Sequence, residues 1–388
     1  MDVKSGAIGE PTIAPVTPAP KARTGDQLVW IDILRGLAAI GVVLHHVRVD
    51  LWVGWQAIRS NPAAYTEFDR AAAWLSAPLP FLGAGVMLFF LLSGFCIHYP
   101  YVDSKPEDFK TRVYAIRRFI RIYPPYLAAL LLSLLVERVS MELMLGESTS
   151  LNAAIRSAFM LQNYGGPTVA VVGNPSLWSL PIEMEFYILY PFLLLLLPRF
   201  SLSTLLWGVG LVSVAGALLA KNHVQWFHYS FPRYWIIWCA GALLAEWQRH
   251  KVLPKWNWIF TALLPLCTAG GMATRMVHSW KWIEDYFWGA AFFLLILWGL
   301  NKSANLPRWK PPFTKAMIFL GTISYSLYLI HFPFFRFCGS LYYNQFKDKP
   351  HNLLFSLLFV LLAIPVAWLF YRFIEKPTHQ LARRWAGK

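Results

Sequence analysis

The 388-residue chain is 57% hydrophobic and only 14% charged, with 35 Lys and Arg against 20 Asp and Glu. Soluble globular chains carry about 25% charged and about 45–50% apolar residues. This much apolar surface excludes an ordinary cytosolic enzyme, a disordered chain and a fibre, and leaves a multi-pass membrane protein. In a soluble protein a net charge of +15 would suggest nucleic acid. In a membrane chain it reflects Lys and Arg gathered in cytoplasmic loops, and no nucleic-acid partner is expected. Cys96, Cys239, Cys267 and Cys338 lie in or beside apolar runs without metal-ligand spacing, so they read as buried thiols and no metal is expected.

Residues 1–26 are rich in Pro, Ala, Thr and Gly and read as a flexible cytoplasmic tail. A membrane domain is expected over 27–380, followed by a short cytoplasmic tail at 381–388. The fold class is all-α and polytopic, with about ten membrane helices over 29–49, 80–100, 118–137, 177–197, 202–220, 232–248, 257–276, 285–301, 317–337 and 353–373. The sixth and eighth are short and rich in Trp. No internal repeat supports an inverted-repeat transporter. With the N-terminus inside, inner segments hold 22 Lys and Arg and outer segments 12, which puts both termini in the cytoplasm of an inner-membrane protein. Two outer loops are long, 50–79 and 138–176. The second carries Tyr164-Gly165-Gly166-Pro167 and Gly173-Asn174-Pro175, and reads either as part of an acceptor site or as an interfacial hairpin without a partner.

Ionisable residues within the spans are the functional candidates, because such groups are expensive in a bilayer. In the first span Arg35 and His46 are eleven residues apart, about 20° from alignment and about 16 Å along the axis. Asp32 sits three residues before Arg35 and can pair with it. A cation near the cytoplasm would meet an anionic donor, and the deeper histidine would act as general base. The competing explanation is a snorkelling Arg with a hydrogen-bonded structural His. Ser93-Gly94 in the second span suits close packing. Arg118 and Arg121 open the third span on one face and suit phosphate recognition, or else anchor the helix at the inner surface. In the fourth span Ser179, Glu183 and Tyr187 share a face behind Trp178, so Glu183 would orient a histidine or hold an acceptor hydroxyl, whereas Glu185 points elsewhere. The ninth span carries Tyr325, His331 and the helix-bending Pro333.

Taken in order, these motifs carry more information than each alone. Asp32-Ile-Leu-Arg35-Gly, His46, Phe89-Phe-Leu-Leu-Ser-Gly-Phe95 and Arg118-x-x-Arg121 come first. Trp178-Ser-Leu-x-x-Glu183-x-x-Phe186-Tyr187, Ile323-Ser-Tyr-Ser-Leu-Tyr-Leu-Ile-His331-x-Pro333 and Glu375-Lys-Pro377 follow. The chain resembles the acyltransferase-3 family of integral membrane O-acyltransferases over about residues 27–380. The resemblance implies a ten-helix domain that passes an acyl group, commonly acetyl from cytoplasmic acetyl-CoA, to a hydroxyl, commonly of a sugar outside the membrane. It implies catalytic roles for Arg35, His46 and Glu183 and donor binding by Arg118, Arg121 and Arg35. Asp32, Ser93, Trp178, Ser179, Tyr187, Tyr325 and His331 would support them. The family's second acidic residue is Met184 here, with Glu185 one place later, and the usual Gly after Asp32 is Ile33. About a dozen residues follow the last span, so a fused esterase-like domain, found in some relatives, is not expected. Acyl-CoA is then a donor substrate, with no permanently bound cofactor, and the partners are a glycan or other hydroxyl acceptor and the bilayer. Direct transfer and a covalent acyl-histidine both remain open, as does the oligomeric state. The rival classes are an exporter without acyl transfer and a non-catalytic membrane scaffold.

Overall fold

The computed structural model describes residues 27–143, 148–164, 173–222, 224–302 and 311–387. The N-terminal tail over 1–26, the Gly165-Gly166-Pro167 stretch and most of the 302–315 loop lie outside these. The described residues are helical, with no strand among them. In chain order the helices are α1 (Gln27–Asp50), α2 (Trp55–Ser60), α3 (Glu67–Trp74), α4 (Gly85–His98), α5 (Thr111–Glu142), α6 (Leu151–Ala158) and α7 (Ser179–Leu196). Then come α8 (Leu202–Lys221), α9 (Phe231–Arg249), α10 (Trp258–Met276), α11 (Glu284–Lys302), α12 (Pro311–Phe346), α13 (Leu353–Phe370) and α14 (Lys376–Ala386).

Polar caps set many of the starts. The side chains of Ser150, Ser201, Asn257 and Asn352 each accept a backbone N–H of the helix they precede, and Thr66 and Asp69 close a reciprocal capping box. Short α2, α3 and α6 belong to the two long loops that the sequence sets apart.

Among the described residues, seven helices are long and apolar enough to cross a membrane. They correspond to the first five, the ninth and the tenth expected spans. The sixth, seventh and eighth are present as α9, α10 and α11, each 19 residues long, but fall outside that group. In α9 and α11 charged ends (Arg233, Glu246 and Arg249; Glu284, Asp285 and Lys302) combine with Trp, Tyr and amide residues, so the helices are less apolar over their length than the seven. Several of these charges are paired inside the bundle. Arg233 meets Asp285 at 2.7 Å and Arg275 meets Glu284 at 2.8 Å, tying α11 to α9 and α10. Arg336 joins Asp50 at 3.1 Å and fastens α12 to α1. The expected tail from 381 instead continues as α14, which packs against α5 with Ala382 and Ala386 buried.

Large apolar side chains such as Leu131, Phe192, Trp207, Leu211 and Leu361 point outward, as a lipid-facing surface permits. The core lies between α1, α4, α5, α7, α9 and α12. Glycines bring α4 and α9 into near backbone contact. A Cβ at Gly94 would stand 1.9 Å from the Trp238 carbonyl oxygen, and one at Gly241 2.0 Å from that of Leu91. On its other side α4 meets α1 at Gly85, where a Cβ would be 3.0 Å from the Ala38 carbonyl oxygen. Helix α4 is therefore wedged on both flanks, and it carries the wall of the site.

Candidate active site

Helix α4 contributes to the walls of two cavities. The first has a volume of about 180 Å³ and gathers Arg35 from α1, Ser93 from α4, Arg118 and Arg121 from α5, and Ser179, Glu183 and Tyr187 from α7. Ser324, Tyr325 and Tyr328 of α12 complete it. Eight residues that the sequence singles out thus converge in one place, from five helices. The i, i+3 arginines and the i, i+4, i+8 set on α7 each present one face, as helical periodicity requires.

Hydrogen bonds fix these side chains. Glu183 accepts from Ser93 Oγ at 3.1 Å and from the Tyr187 hydroxyl, and Ser93 in turn accepts from Trp238 Nε1 at 3.3 Å. Tyr114 donates to the Tyr187 carbonyl at 3.2 Å, and the Arg118 guanidinium lies over both rings, 5.6 Å from Tyr114 and 5.8 Å from Tyr187. Arg35 donates to Ser324 Oγ at 3.4 Å and lies 4.0 Å from Asp32. Arg118 Nε is buried without a hydrogen-bond partner among the described residues. Three guanidinium groups line this cavity with Glu183, while Asp32 lies beside Arg35 and the Glu375 carboxylate lies near Arg35 and Arg121, so the cluster is densely charged and close to balanced. The planar guanidinium forks, rather than a net charge, are what would suit a phosphate here.

The second cavity is larger, about 620 Å³, and holds His45, His46 and Trp178. Its walls are aromatic, with Tyr229, Tyr234, Trp282 and Trp288, and the Arg233–Asp285 and Arg275–Glu284 pairs lie in them. Arg35 and His46 therefore open into different cavities, one at each end of a shared helix face. His45 follows its neighbour into the second cavity and holds the Leu79 carbonyl through Nδ1 at 3.0 Å.

The sequence offers Glu183 as the group to orient His46. In the structure Glu183 engages Ser93 and Tyr187, and His46 pairs with His331 instead. His331 is fully buried, with Nε2 3.0 Å from His46 Nδ1 and Nδ1 3.0 Å from the Leu327 carbonyl oxygen. This chain of bonds dictates the tautomers. A carbonyl only accepts, so His331 Nδ1 carries the hydrogen. In the neutral ring Nε2 then accepts, His46 Nδ1 donates, and His46 Nε2 is left with its lone pair. The geometry thus has His331 orienting the His46 ring with its Nε2 lone pair free.

Glu185 receives the Tyr164 hydroxyl at 2.5 Å and the Phe231 backbone N–H at 2.7 Å, so it ties the long loop to the start of α9. Glu137 does similar work at the loop's ends, accepting from Thr149 and from the Gly173 N–H at 3.0 Å. Several site residues carry no role in the sequence argument. Tyr328 bonds Ser179 at 2.6 Å and lies beside His331, with the rings tilted and their centroids 5.9 Å apart. Glu375 is buried and accepts from Ser326 N at 3.1 Å and Oγ at 2.5 Å, at a π-turn that re-aims the chain after α13. For Tyr328 the signal is the i, i+4, i+7 spacing of Ser324, Tyr328 and His331. Glu375 is marked in the sequence only by the Glu375-Lys-Pro377 motif, which does not name its partner, and Tyr114 has no local signal, because its partner is remote in sequence.

The acyltransferase-3 family profile, described as an acyltransferase domain, matches residues 28–372. The chain belongs to this family. It is 26% identical over 380 residues to the O-acetyltransferase OatA of Staphylococcus aureus strain NCTC 8325, covering 90% of this chain and 57% of that protein. OatA of strain COL gives the same values. The chain thus spans little more than half the length of these relatives. No solved structure matches it.

Proposed function

We propose that the protein is a membrane O-acyltransferase that moves an acyl group, acetyl by preference, from cytoplasmic acyl-CoA to a hydroxyl of a surface or exported glycan. The observation that carries this reading is the convergence of Arg35, Arg118 and Arg121 in the first cavity, with the His46–His331 pair opening on the second. A phosphate-bearing donor matches the arginine end. The aromatic cavity, with its fixed ion pairs, suits a polyhydroxylated acceptor that stacks and hydrogen-bonds. The names of the OatA relatives agree with O-acetyl transfer.

In this reading the CoA phosphates lie against Arg118 and Arg121, with Arg35 beside them, and the thioester reaches towards His46. His46 Nε2 takes the acceptor hydroxyl proton as the oxygen attacks the thioester carbonyl. The C–S bond breaks as the ester C–O bond forms, and the proton passes to the departing CoA thiolate. Alternatively His46 Nε2 attacks first and carries the acyl group before handing it to the hydroxyl. Glu183, held by Ser93 and Tyr187, lies on the donor side, where the Tyr187 ring that it anchors carries the Arg118 guanidinium. Topologically, ten spans with both termini cytoplasmic place the arginines inside and His46 towards the outer face. The three helices that fall short on apolarity would cross with Arg233, Asp285, Arg275 and Glu284 neutralised in pairs.

Purified protein in liposomes tests the proposal. Acetyl-CoA should release free CoA thiol only when an acceptor glycan is supplied, and an unchanged rate in His46→Ala would reject the assignment of His46. Glycan export without thiol release would favour an exporter.

A further inference from the structure

Among the residues that line the two cavities, Val86 of α4 alone belongs to both, so it stands at their boundary. Around it stand Phe89, which contributes to the first cavity, and Tyr328, whose ring lies 6.0 Å from that of Phe89. Tyr328 lies beside His331, with ring centroids 5.9 Å apart, and His331 is bonded to His46, so a continuous line of side chains leads from the first cavity to the histidine pair. Val86 is itself buried, at 5% exposure, and its branched side chain has little rotamer freedom in a helix.

The backbone beneath it has no room to yield. Gly85, next in the chain, meets the Ala38 carbonyl of α1, and further along α4 the close approaches at Gly94 and Gly241 lock the helix to α9. A wall of fixed position is what distinguishes a measuring surface from a flexible one, because packed interiors transmit the size difference of a single methylene instead of absorbing it.

From this we infer that Val86 is a specificity-determining residue that limits the length of the transferred acyl chain, a role that rests on the acyl-transfer reading above. If the phosphates of the donor are held at the arginines and the attacking hydroxyl stands beside His46, the thioester carbonyl lies at this boundary. The acyl tail then has only the space bounded by Val86, Phe89 and Tyr328. A methyl group fits beside the valine; a longer chain meets its two γ-methyls. Shortening Val86 lengthens the accepted chain, and extending it restricts the site to the shortest donors.

The test compares acetyl-, propionyl- and butyryl-CoA as donors for the full-length protein in nanodiscs. The total glycan fraction of the source cells serves as acceptor, and CoA thiol release is followed. Ratios of rates within one preparation are independent of how much protein is correctly folded. The butyryl-to-acetyl ratio should rise about tenfold or more in Val86→Ala, and the propionyl-to-acetyl ratio should fall by a similar factor in Val86→Ile, as expected for one or two methylenes in an apolar pocket. Ratios equal to wild type in both variants, with thiol release intact, would overturn the role of Val86 alone. No acceptor-dependent release by the wild type from any of the three donors would remove the acyl-transfer reading itself, and this inference with it.

Discussion

His331 Nε2 lies 3.0 Å from His46 Nδ1, joining α12 to α1 through two imidazoles that are 285 residues apart in the chain. Because Leu327 fixes the hydrogen on His331 Nδ1, His331 acts on His46 as an acceptor and leaves His46 Nε2 basic. In the proposed reaction His46→Ala should reduce turnover by about 10²–10⁴-fold, the usual worth of a general base. His331→Ala should lower kcat with little change in KM for acyl-CoA. His331→Gln, whose amide oxygen can still accept from His46, should recover part of the loss. Equal loss in the Ala and Gln variants would show that His331 only fills space.

The donor cavity gives a separate prediction. Hydrogen bonds to charged groups contribute about 1.5–3 kcal/mol each, so Arg118→Ala with Arg121→Ala should weaken binding of CoA by about a hundredfold or more. Titration calorimetry with free CoA measures this without any acceptor. Arg118→Lys should be a poor substitute, since a lysine retains the charge but not the planar fork seated over Tyr114 and Tyr187. Affinity unchanged in the double variant would detach the arginines from the donor.

Packing of α4 makes a stability prediction. Gly94→Ala places a methyl where the Trp238 carbonyl oxygen already stands, and should cost about 1–3 kcal/mol or more, seen as a lower unfolding temperature in detergent. Gly208→Ala on α8 is the control. A Cβ there meets nothing within 4 Å, so the change should be neutral or slightly stabilising.

The ion pair between Arg233 and Asp285 should behave as a buried pair, with side chains 10% and 20% exposed. Arg233→Leu alone leaves an uncompensated carboxylate and should destabilise by about 3–5 kcal/mol, whereas Arg233→Leu with Asp285→Leu should recover most of that. A double variant no better than the single would mean that the pair is solvated and that α9 and α11 do not depend on it.

Much of the site is legible in the sequence because helical periodicity is local. The Arg118–Arg121 pair and the Ser179–Glu183–Tyr187 set need only residue spacing to be placed on one face each, and both sets do line the first cavity. Apolar run length likewise locates the helices, though run length alone does not separate α9, α10 and α11 from the more apolar seven. Their charges are paired across helices, and pairing is invisible to a hydropathy count.

The partner of a polar side chain is a different kind of fact. Sequence by itself determined that this is an α-helical membrane chain whose few intramembrane charges are concentrated in ordered motifs, because the scarcity of such groups in lipid makes each one conspicuous. Only the tertiary structure decided that Glu183 turns to Ser93 and Tyr187, that His46 answers to His331, and that Val86 stands between two cavities. The physical reason is range. Periodicity fixes the face on which a residue lies over a few turns, whereas the group opposite is chosen by helix packing, here by glycines that let α4 lie against α1 and α9 at backbone distance.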